Sequence, residues 1–312
     1  MQENTAQSAG IVEELQSETT PPAWPRGLPI WLRRVLGFLI ILVILIVLWE
    51  GYKAIGAATG NRIPGTDTPL PIRSDDTAMP HVSSILAALF KPVQRGQTET
   101  LVGFLLKASL FTLREALAGF MIGSAVGFGL AVVFVHSSLL ERGLTPYVVA
   151  SQTVPLLAIA PMIVVWGGQL GWDPWVRVTV ISAYLTFFPV TINSLRGLRS
   201  PHPTALELMR SFAAPDRQTL WKLRVPAALP YIFTALKISA ALSVIGAIVG
   251  ELPSGIGDGL GRALLTFNQY FITGPEKLFA AILIAALAGM ISVGIISLIE
   301  HIVLPQQRRL SE

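Results

Sequence analysis

Six long apolar stretches divide this sequence, and they restrict its fold more than any other feature. They cover residues 35–55, 111–135, 147–167, 176–195, 229–250 and 278–303. A helix of about 20 apolar residues crosses a bilayer core of about 30 Å. Only 13% of the residues are charged, which is too few to cover a globule that faces water. The sequence therefore predicts an all-α membrane protein with six transmembrane helices.

The polar segments between these stretches give the domain organisation. Residues 1–29 are too polar to bury much apolar surface, so they are predicted to form a disordered cytoplasmic tail. Residues 30–305 form one predicted membrane domain, with its longest interior loop at 196–228, and 306–312 form a second cytoplasmic tail. The first apolar stretch lies too deep in the chain for a cleaved signal peptide and is predicted to remain as a span.

Lysine and arginine residues near the span ends predict the orientation, because cytoplasmic loops retain positive charge. With the N-terminus inside, the interior segments hold Arg26, Arg33, Arg34, Arg142, Arg196, Arg199, Arg210, Arg217, Lys222, Arg224, Arg308 and Arg309. The exterior segments hold fewer cations for their length, partly offset by aspartates. Both termini are therefore predicted to be cytoplasmic. The small net charge of +4 reflects this topology and not affinity for nucleic acid.

The residues needed for catalysis or for binding nucleotide are missing from the sequence. There is no cysteine, and the four histidines are scattered without metal-binding or triad spacing. No G-x-x-x-x-G-K-[ST] phosphate loop is present. We therefore expect a chain that is not an enzyme, holds no metal or other cofactor, and depends on another protein for any use of ATP.

In the second stretch, Gly119, Gly123 and Gly127 recur every four residues. Small residues at this spacing let another helix approach closely. The stripe predicts a tightly packed helix pair, not a binding site.

Proline breaks in the third and fourth stretches indicate a candidate translocation pathway. Pro155 and Pro161 free backbone groups that a cavity or a neighbouring helix must satisfy. Polar and aromatic residues near the breaks are the predicted pathway lining: Gln152, Thr153, Trp166, Tyr184, Phe188 and Asn193. Simple packing of these side chains in the bundle remains an alternative.

The glycine-rich segment between the fifth and sixth stretches is a candidate outer gate. Its glycines permit a sharp turn, and its predicted gate residues are Glu251, Asn268, Gln269 and Tyr270. A plain surface loop is the alternative. Upstream, the 79–90 segment places apolar residues on one face of a short helix.

The interior loop carries a short amphipathic helix from Pro203 to Arg217. Leu206, Met209 and Phe212 share its apolar face. The helix is too short to span a bilayer, so this face must meet another protein or the headgroup layer.

This loop resembles the EAA loop of ABC importer permeases, in which E-A-A is followed by a glycine and then by I-x-L-P. Leu206-Glu207-Leu208 or the overlapping Glu207-Leu208-Met209 stands for E-A-A, Ala213 for the glycine, and Arg224-Val225-Pro226 for the last element. An alanine is expected to make that turn only at negative φ. The SILAALF and TVPLLAIAPMIVVWGG runs resemble the nitrate, sulfonate, taurine, thiamine-precursor and riboflavin group of these permeases.

The resemblance implies a type I ABC importer permease fold with a cytoplasmic coupling helix in a bacterial plasma membrane. The implied coupling residues are Ala205, Leu206, Glu207, Leu208, Met209, Arg210, Phe212, Ala213, Ala214 and Asp216. The implied partners are a second copy of this chain, two ABC ATPase subunits that bind ATP and Mg²⁺, an extracytoplasmic solute-binding protein and membrane lipid.

The predicted spans carry few charged residues, which favours a neutral aromatic solute over an anion. They include Lys53, Arg114, Arg177, Lys237 and Glu251. We therefore expect riboflavin or a thiamine pyrimidine precursor in preference to a sulfonate, taurine or nitrate. A stand-alone channel or facilitator is the rival interpretation, but a passive pore gives no reason for the amphipathic interior helix.

Overall fold

The computed structural model of the chain describes residues 30–63, 65–66, 68–94, 98–255 and 257–304. The predicted tails at 1–29 and 306–312 lie outside these residues, as do the arginines in them that support the orientation. The described secondary structure is helical, with extended pairing only as isolated bridges such as Arg62 with Pro69. The predicted all-α fold class is confirmed.

Residues 1–74 form one unit, whose described part is dominated by helix α1, Ile30–Thr59. This helix contains the first predicted span. After it, the chain turns at Asn61, whose φ of 62° is left-handed. The side chain of Asn61 accepts a hydrogen bond of 2.8 Å from the backbone N–H of Ser74. The Tyr52 hydroxyl donates to the Ile72 carbonyl at 2.8 Å, so residues 68–74 fold back on the end of α1.

Residues 75–312 form the second unit, and its described part is a helical bundle. The helices are α2 (Val82–Leu89), α3 (Leu101–His136), α4 (Ser138–Ser151), α5 (Leu156–Gln169), α6 (Pro174–Leu198), α7 (Pro203–Ser211), α8 (Val225–Ser254), α9 (Leu260–Gln269) and α10 (Pro275–Val303). A helical turn at Asp216–Gln218 and a π-helical segment at Thr219–Arg224 lead directly into α8.

Five helical runs in the described residues are long and apolar enough to cross a membrane. They are α1, α3, α6, the Asp216–Ser254 run that includes α8, and α10. The third predicted span differs, because it is divided into α4 and α5, which meet at an angle of 98°. Pro155 lies at the break and disfavours helical geometry in the residue before it. The two helices together make a sixth candidate span.

The predicted glycine stripe packs against α6, which confirms its structural role. A methyl group at Gly119, Gly123 or Gly127 would lie 2.8, 2.6 or 2.5 Å from a backbone carbonyl oxygen of α6. The two helices run parallel, since each step of four residues along α3 matches a step of four along α6. Only glycine permits this close approach.

Helices α2 and α9 lie at one end of the bundle, which we call the α9 end. Ile85, Ala88 and Leu89 of α2 share a buried apolar cluster with Leu260 of α9 and with the first turns of α3 and α10. The predicted 79–90 helix is therefore a packed part of this end. At the other end, which we call the α7 end, a cluster around Phe134, Leu198 and Leu220 joins α3, α6 and the start of the α8 run.

Candidate functional site

Helix α7 projects from the bundle without burying any of its side chains. Its first turn starts at Pro203, which lacks the N–H that a helix N-terminus leaves unpaired. The His202 ring accepts a hydrogen bond of 3.4 Å from the Thr204 N–H. Leu208 is 56% exposed and Phe212, at the end of the helix, is 76% exposed. Apolar side chains left open together on a short helix indicate a contact surface for another molecule.

The end of α7 has the two hydrogen bonds of a Schellman motif. The Ala213 N–H donates to the Arg210 carbonyl at 2.9 Å, and the Ala214 N–H donates to the Met209 carbonyl at 3.0 Å. Ala213 has a φ of 51°, in the left-handed region. The expectation that this alanine would turn only at negative φ is therefore wrong, because the two backbone bonds hold it in the conformation that glycine usually supplies.

Helix α7 is connected to the bundle through the ends of α6 and α8. The Arg224 guanidinium donates to the Leu198 carbonyl at 2.8 Å. A methyl group at Gly197 would lie 2.8 Å from Cβ of Tyr231, so α6 and α8 pack closely here. Arg199 makes a two-point ion pair with Glu141 at the start of α4. A displacement of the loop would therefore be passed to three helices.

The residues predicted for ATPase coupling occupy one continuous surface at the α7 end. Ala205, Leu206, Glu207, Leu208, Met209 and Arg210 lie on α7, Phe212, Ala213 and Ala214 form its terminal turn, and Asp216 begins the next helical run. None of them is buried. Their coupling role stays a prediction.

The predicted pathway residues do not all meet. The Tyr184 hydroxyl donates to the Ser151 carbonyl, which ties α6 to the break between α4 and α5. Gln152 and Thr153 lie at this break and are exposed. The structure places Trp166, which is 57% exposed, near the far end of α5, apart from the break.

Two further pathway candidates lie on α6 and have structural partners. The Asn193 amide donates to the Pro189 carbonyl of its own helix at 2.8 Å. Phe188 packs against the apolar cluster at the α7 end. The pathway role of the six residues stays a prediction, with the break as the place where three of them gather.

Glu251 lies in a buried network at the N-terminus of α9 and is only 1% exposed. Its carboxylate accepts a hydrogen bond of 2.6 Å from the Thr112 hydroxyl and one of 2.5 Å from the Gly261 N–H. Thr112 accepts from the Leu260 N–H at 2.8 Å. A methyl group at Gly261 would lie 2.2 Å from the Ile248 carbonyl oxygen. The glycine lets the backbone of this segment reach the carboxylate.

The other predicted gate residues lie at the opposite end of α9. Asn268, Gln269 and Tyr270 are exposed, so the structure separates them from buried Glu251. Tyr270 lines an open pocket of about 600 Å³ at the α9 end of the bundle. Its lining includes Phe104, Arg262, Phe267 and Lys277. Their gate role stays a prediction.

Three polar residues that the sequence argument overlooked occupy structurally central positions. Thr112 completes the Glu251 network, and Glu115 lies beside it, 1% exposed. Glu300 forms an ion pair of 2.9 Å with Lys237, joining α10 to α8. Both glutamates interrupt apolar stretches, and an ionisable residue inside a membrane span is by itself a reason to look for a function. Among the described residues, no group of three or more His, Asp or Glu could hold a metal ion.

Several relatives of this chain have transport functions in their names. The formylaminopyrimidine transport permease protein ThiX of Halalkalibacterium halodurans is 37% identical over 201 residues, covering 64% of this chain and 76% of the relative. The putative aliphatic sulfonates transport permease protein SsuC of Bacillus subtilis is 28% identical over 297 residues, covering 95% of each. Further relatives are named as riboflavin, nitrate and taurine transport permeases.

A solved structure of an amino acid ABC transporter with histidines has a similar fold, with a TM-score of 0.52 at 19% identity. The match covers 64% of this chain and 94% of that one. Residues 119–304, more than half of the sequence, match the family described as the binding-protein-dependent transport system inner membrane component. The chain belongs to this family of ABC transporter permeases.

Proposed function

We propose that this chain is the membrane subunit of an ATP-driven importer, and that α7 is the surface on which a cytoplasmic ABC ATPase docks. The observation that carries the proposal is an amphipathic helix that buries no side chain yet is tied to α4, α6 and α8 through its flanks. An exposed apolar helix with such connections can transmit force from a bound partner. Closure of the ATPase would then move the bundle as rigid parts.

Docking on α7 can be tested by removing its exposed apolar side chains. We expect Leu208→Ser and Phe212→Ser to reduce retention of the ATPase by about tenfold or more, since apolar anchors dominate such interfaces. Co-purification of the ATPase with the tagged chain from membranes is the measurement. Leu139→Ser is the matched control, because Leu139 is 81% exposed but belongs to α4. Unchanged retention in both α7 variants would exclude docking at this surface.

Each chain supplies one α7, so two ATPase subunits require two permease chains. We infer that the second is another copy of this chain. Two copies with different tags, expressed together, should purify as one complex. Recovery of a different permease chain in place of the second tag would instead identify a heterodimer.

We further propose that the solute is a small neutral aromatic molecule delivered by an extracytoplasmic binding protein. This solute is either riboflavin itself or a pyrimidine precursor of thiamine. The relatives named for formylaminopyrimidine and riboflavin transport support this class. The small number of charged residues in the predicted spans also supports it, because a pathway for an anion would be expected to carry more cations.

Uptake by the reconstituted complex tests the solute class. Proteoliposomes would contain the permease and the ATPase, with the binding protein added outside. We expect ATP-dependent accumulation of radiolabelled formylaminopyrimidine or riboflavin, and little competition from taurine, alkanesulfonate or nitrate. Uptake of taurine or a sulfonate without uptake of either aromatic solute would reject the proposed class while leaving the ABC importer assignment intact.

A further inference from the structure

Glu115 has no hydrogen-bond donor in a site where a carboxylate would need one. It lies on α3 with 1% of its surface exposed. In the described part of the chain, neither of its carboxyl oxygens meets an N–H or O–H group. Its polar neighbour is the carboxyl group of Glu251. An ionised group left in this state is strongly destabilising, so the environment favours the neutral acid.

Glu251 has the opposite environment. Both of its oxygens are occupied by donors, the Thr112 hydroxyl and the Gly261 N–H. It also faces the first turn of α9, where unpaired N–H groups and the helix dipole stabilise negative charge. Of the two carboxyl groups, Glu251 is therefore the one that the structure stabilises as an anion.

The surrounding charges do not change this assignment. Two charged residues interact electrostatically with Glu115. They are Glu251 of α8 and Arg114, which precedes Glu115 on α3. The Arg114 guanidinium lies over the Trp175 ring, 5.4 Å from its centroid. Other cations on the neighbouring helices are bonded to other groups or are exposed. Lys107 of α3 pairs with Glu99 and Lys237 of α8 pairs with Glu300. Arg177 of α6 donates to the Val164 carbonyl, Lys277 of α10 donates to the Val93 carbonyl, and Arg262 of α9 is exposed.

We propose that Glu115 and Glu251 form a one-proton site that latches α9 to the bundle. Glu115 carries the proton and donates it in a hydrogen bond to ionised Glu251. This bond completes the network through which Thr112 and Glu251 hold the N–H groups of Leu260 and Gly261. Movement of α9 away from the bundle breaks these bonds together and admits water to Glu115, which then ionises and releases its proton.

The latch is linked to pH with a defined sign. Deprotonation of Glu115 at high pH places two carboxylates side by side, so α9 should loosen as the pH rises. The inference does not depend on the solute or on ATPase docking, and the purified full chain in lipid nanodiscs is sufficient to test it.

Infrared spectroscopy detects the proton directly. At neutral pH we expect the wild-type chain to show the C=O band of a protonated carboxylic acid, which disappears as the pH is raised. The band should be absent from Glu115→Gln and unchanged in Glu141→Gln, a control at the α7 end. A wild-type spectrum that shows no protonated carboxyl at neutral pH would overturn the proposal without requiring any variant to fold.

Amide hydrogen exchange at Leu260 and Gly261 measures the latch itself. A glutamine at position 115 can still donate a hydrogen bond to Glu251. Glu115→Gln should therefore keep amide protection within about twofold of wild type at neutral pH. It should also abolish the loss of protection that wild type shows at high pH. Glu115→Leu removes the donor and should speed exchange by about tenfold. Each variant is compared with wild type at the same pH, which cancels the intrinsic pH dependence of exchange. Equal loosening by glutamine and leucine would contradict the proton-donating role.

A metal cation is the alternative occupant of a carboxyl pair. Replacing choline chloride with sodium chloride at constant ionic strength should leave the exchange rates of Leu260 and Gly261 unchanged. Protection that increases with sodium concentration would assign the site to a metal cation and reject the proton.

Discussion

Ala213 shows how a single residue can be held in a backbone conformation that its side chain opposes. The left-handed region brings Cβ close to the neighbouring carbonyl group, at a cost of roughly 1–2 kcal/mol for residues other than glycine. The two hydrogen bonds of the Schellman motif offset this cost at the end of α7. The turn therefore keeps its shape although the chain lacks the glycine of the EAA pattern.

Ala213→Gly should stabilise the terminal turn of α7 by about 1 kcal/mol, because glycine adopts a φ of 51° without steric conflict. Slower amide exchange at Ala214, whose N–H closes the motif, is the measurement. Ala214→Gly is the control of opposite sign, since the φ of Ala214 is not left-handed and a glycine there only adds freedom to the unfolded chain. Faster exchange in Ala213→Gly would contradict the assigned conformation.

At the level of elements, α3 and α6 pack with their backbones in close contact. Without a hydrophobic driving force inside lipid, close backbone contact and van der Waals packing hold membrane helices together. Gly123 meets the Ala183 carbonyl and the Thr186 side chain with no room for a methyl group, whereas Gly129 on the same helix has no atom within 4 Å of that position. The two glycines provide a matched pair.

Gly123→Ala should destabilise the bundle by about 1–3 kcal/mol, because the added methyl group forces the two helices apart. Gly129→Ala should be neutral or slightly stabilising, since alanine favours helix and meets no neighbour. Thermal unfolding in a fixed detergent, with transport activity as a second readout, distinguishes the two variants. Equal melting temperatures would mean that α3 and α6 are not packed as closely as the structure has them.

At the scale of the whole second unit, the Asp216–Ser254 helical run connects the α7 end with the α9 end. This run of 39 residues starts beside the exposed helix α7 and ends beside Glu251. It is braced along its length by α6 and by the ion pair of Lys237 with Glu300 on α10. A displacement produced at the α7 end therefore has one continuous route to the network that holds α9.

Lys237→Met should destabilise the unit by about 1 kcal/mol, since it leaves the charge of half-buried Glu300 without its partner and the partial exposure of both side chains limits the cost. The double variant Lys237→Met with Glu300→Gln should recover much of this loss, because it removes both charges. Thermal unfolding of the two single variants and the double variant completes the cycle. Additive losses would show that the two side chains do not interact.

The sequence alone determined the helical class and the presence of several long apolar helices, because lipid offers no hydrogen bonds and each span must pair its backbone groups within its own helix. It also determined the close approach along Gly119, Gly123 and Gly127, since spacing on one helix is a local property.

Only the tertiary structure decided the rest. Pro155 indicates a break but not an angle of 98°. Glu115 and Glu251 lie far apart in the chain and meet only when α3 packs against α8. The gate and pathway candidates likewise separate into different places, because periodicity places a residue on its own helix but does not specify which neighbour it will face.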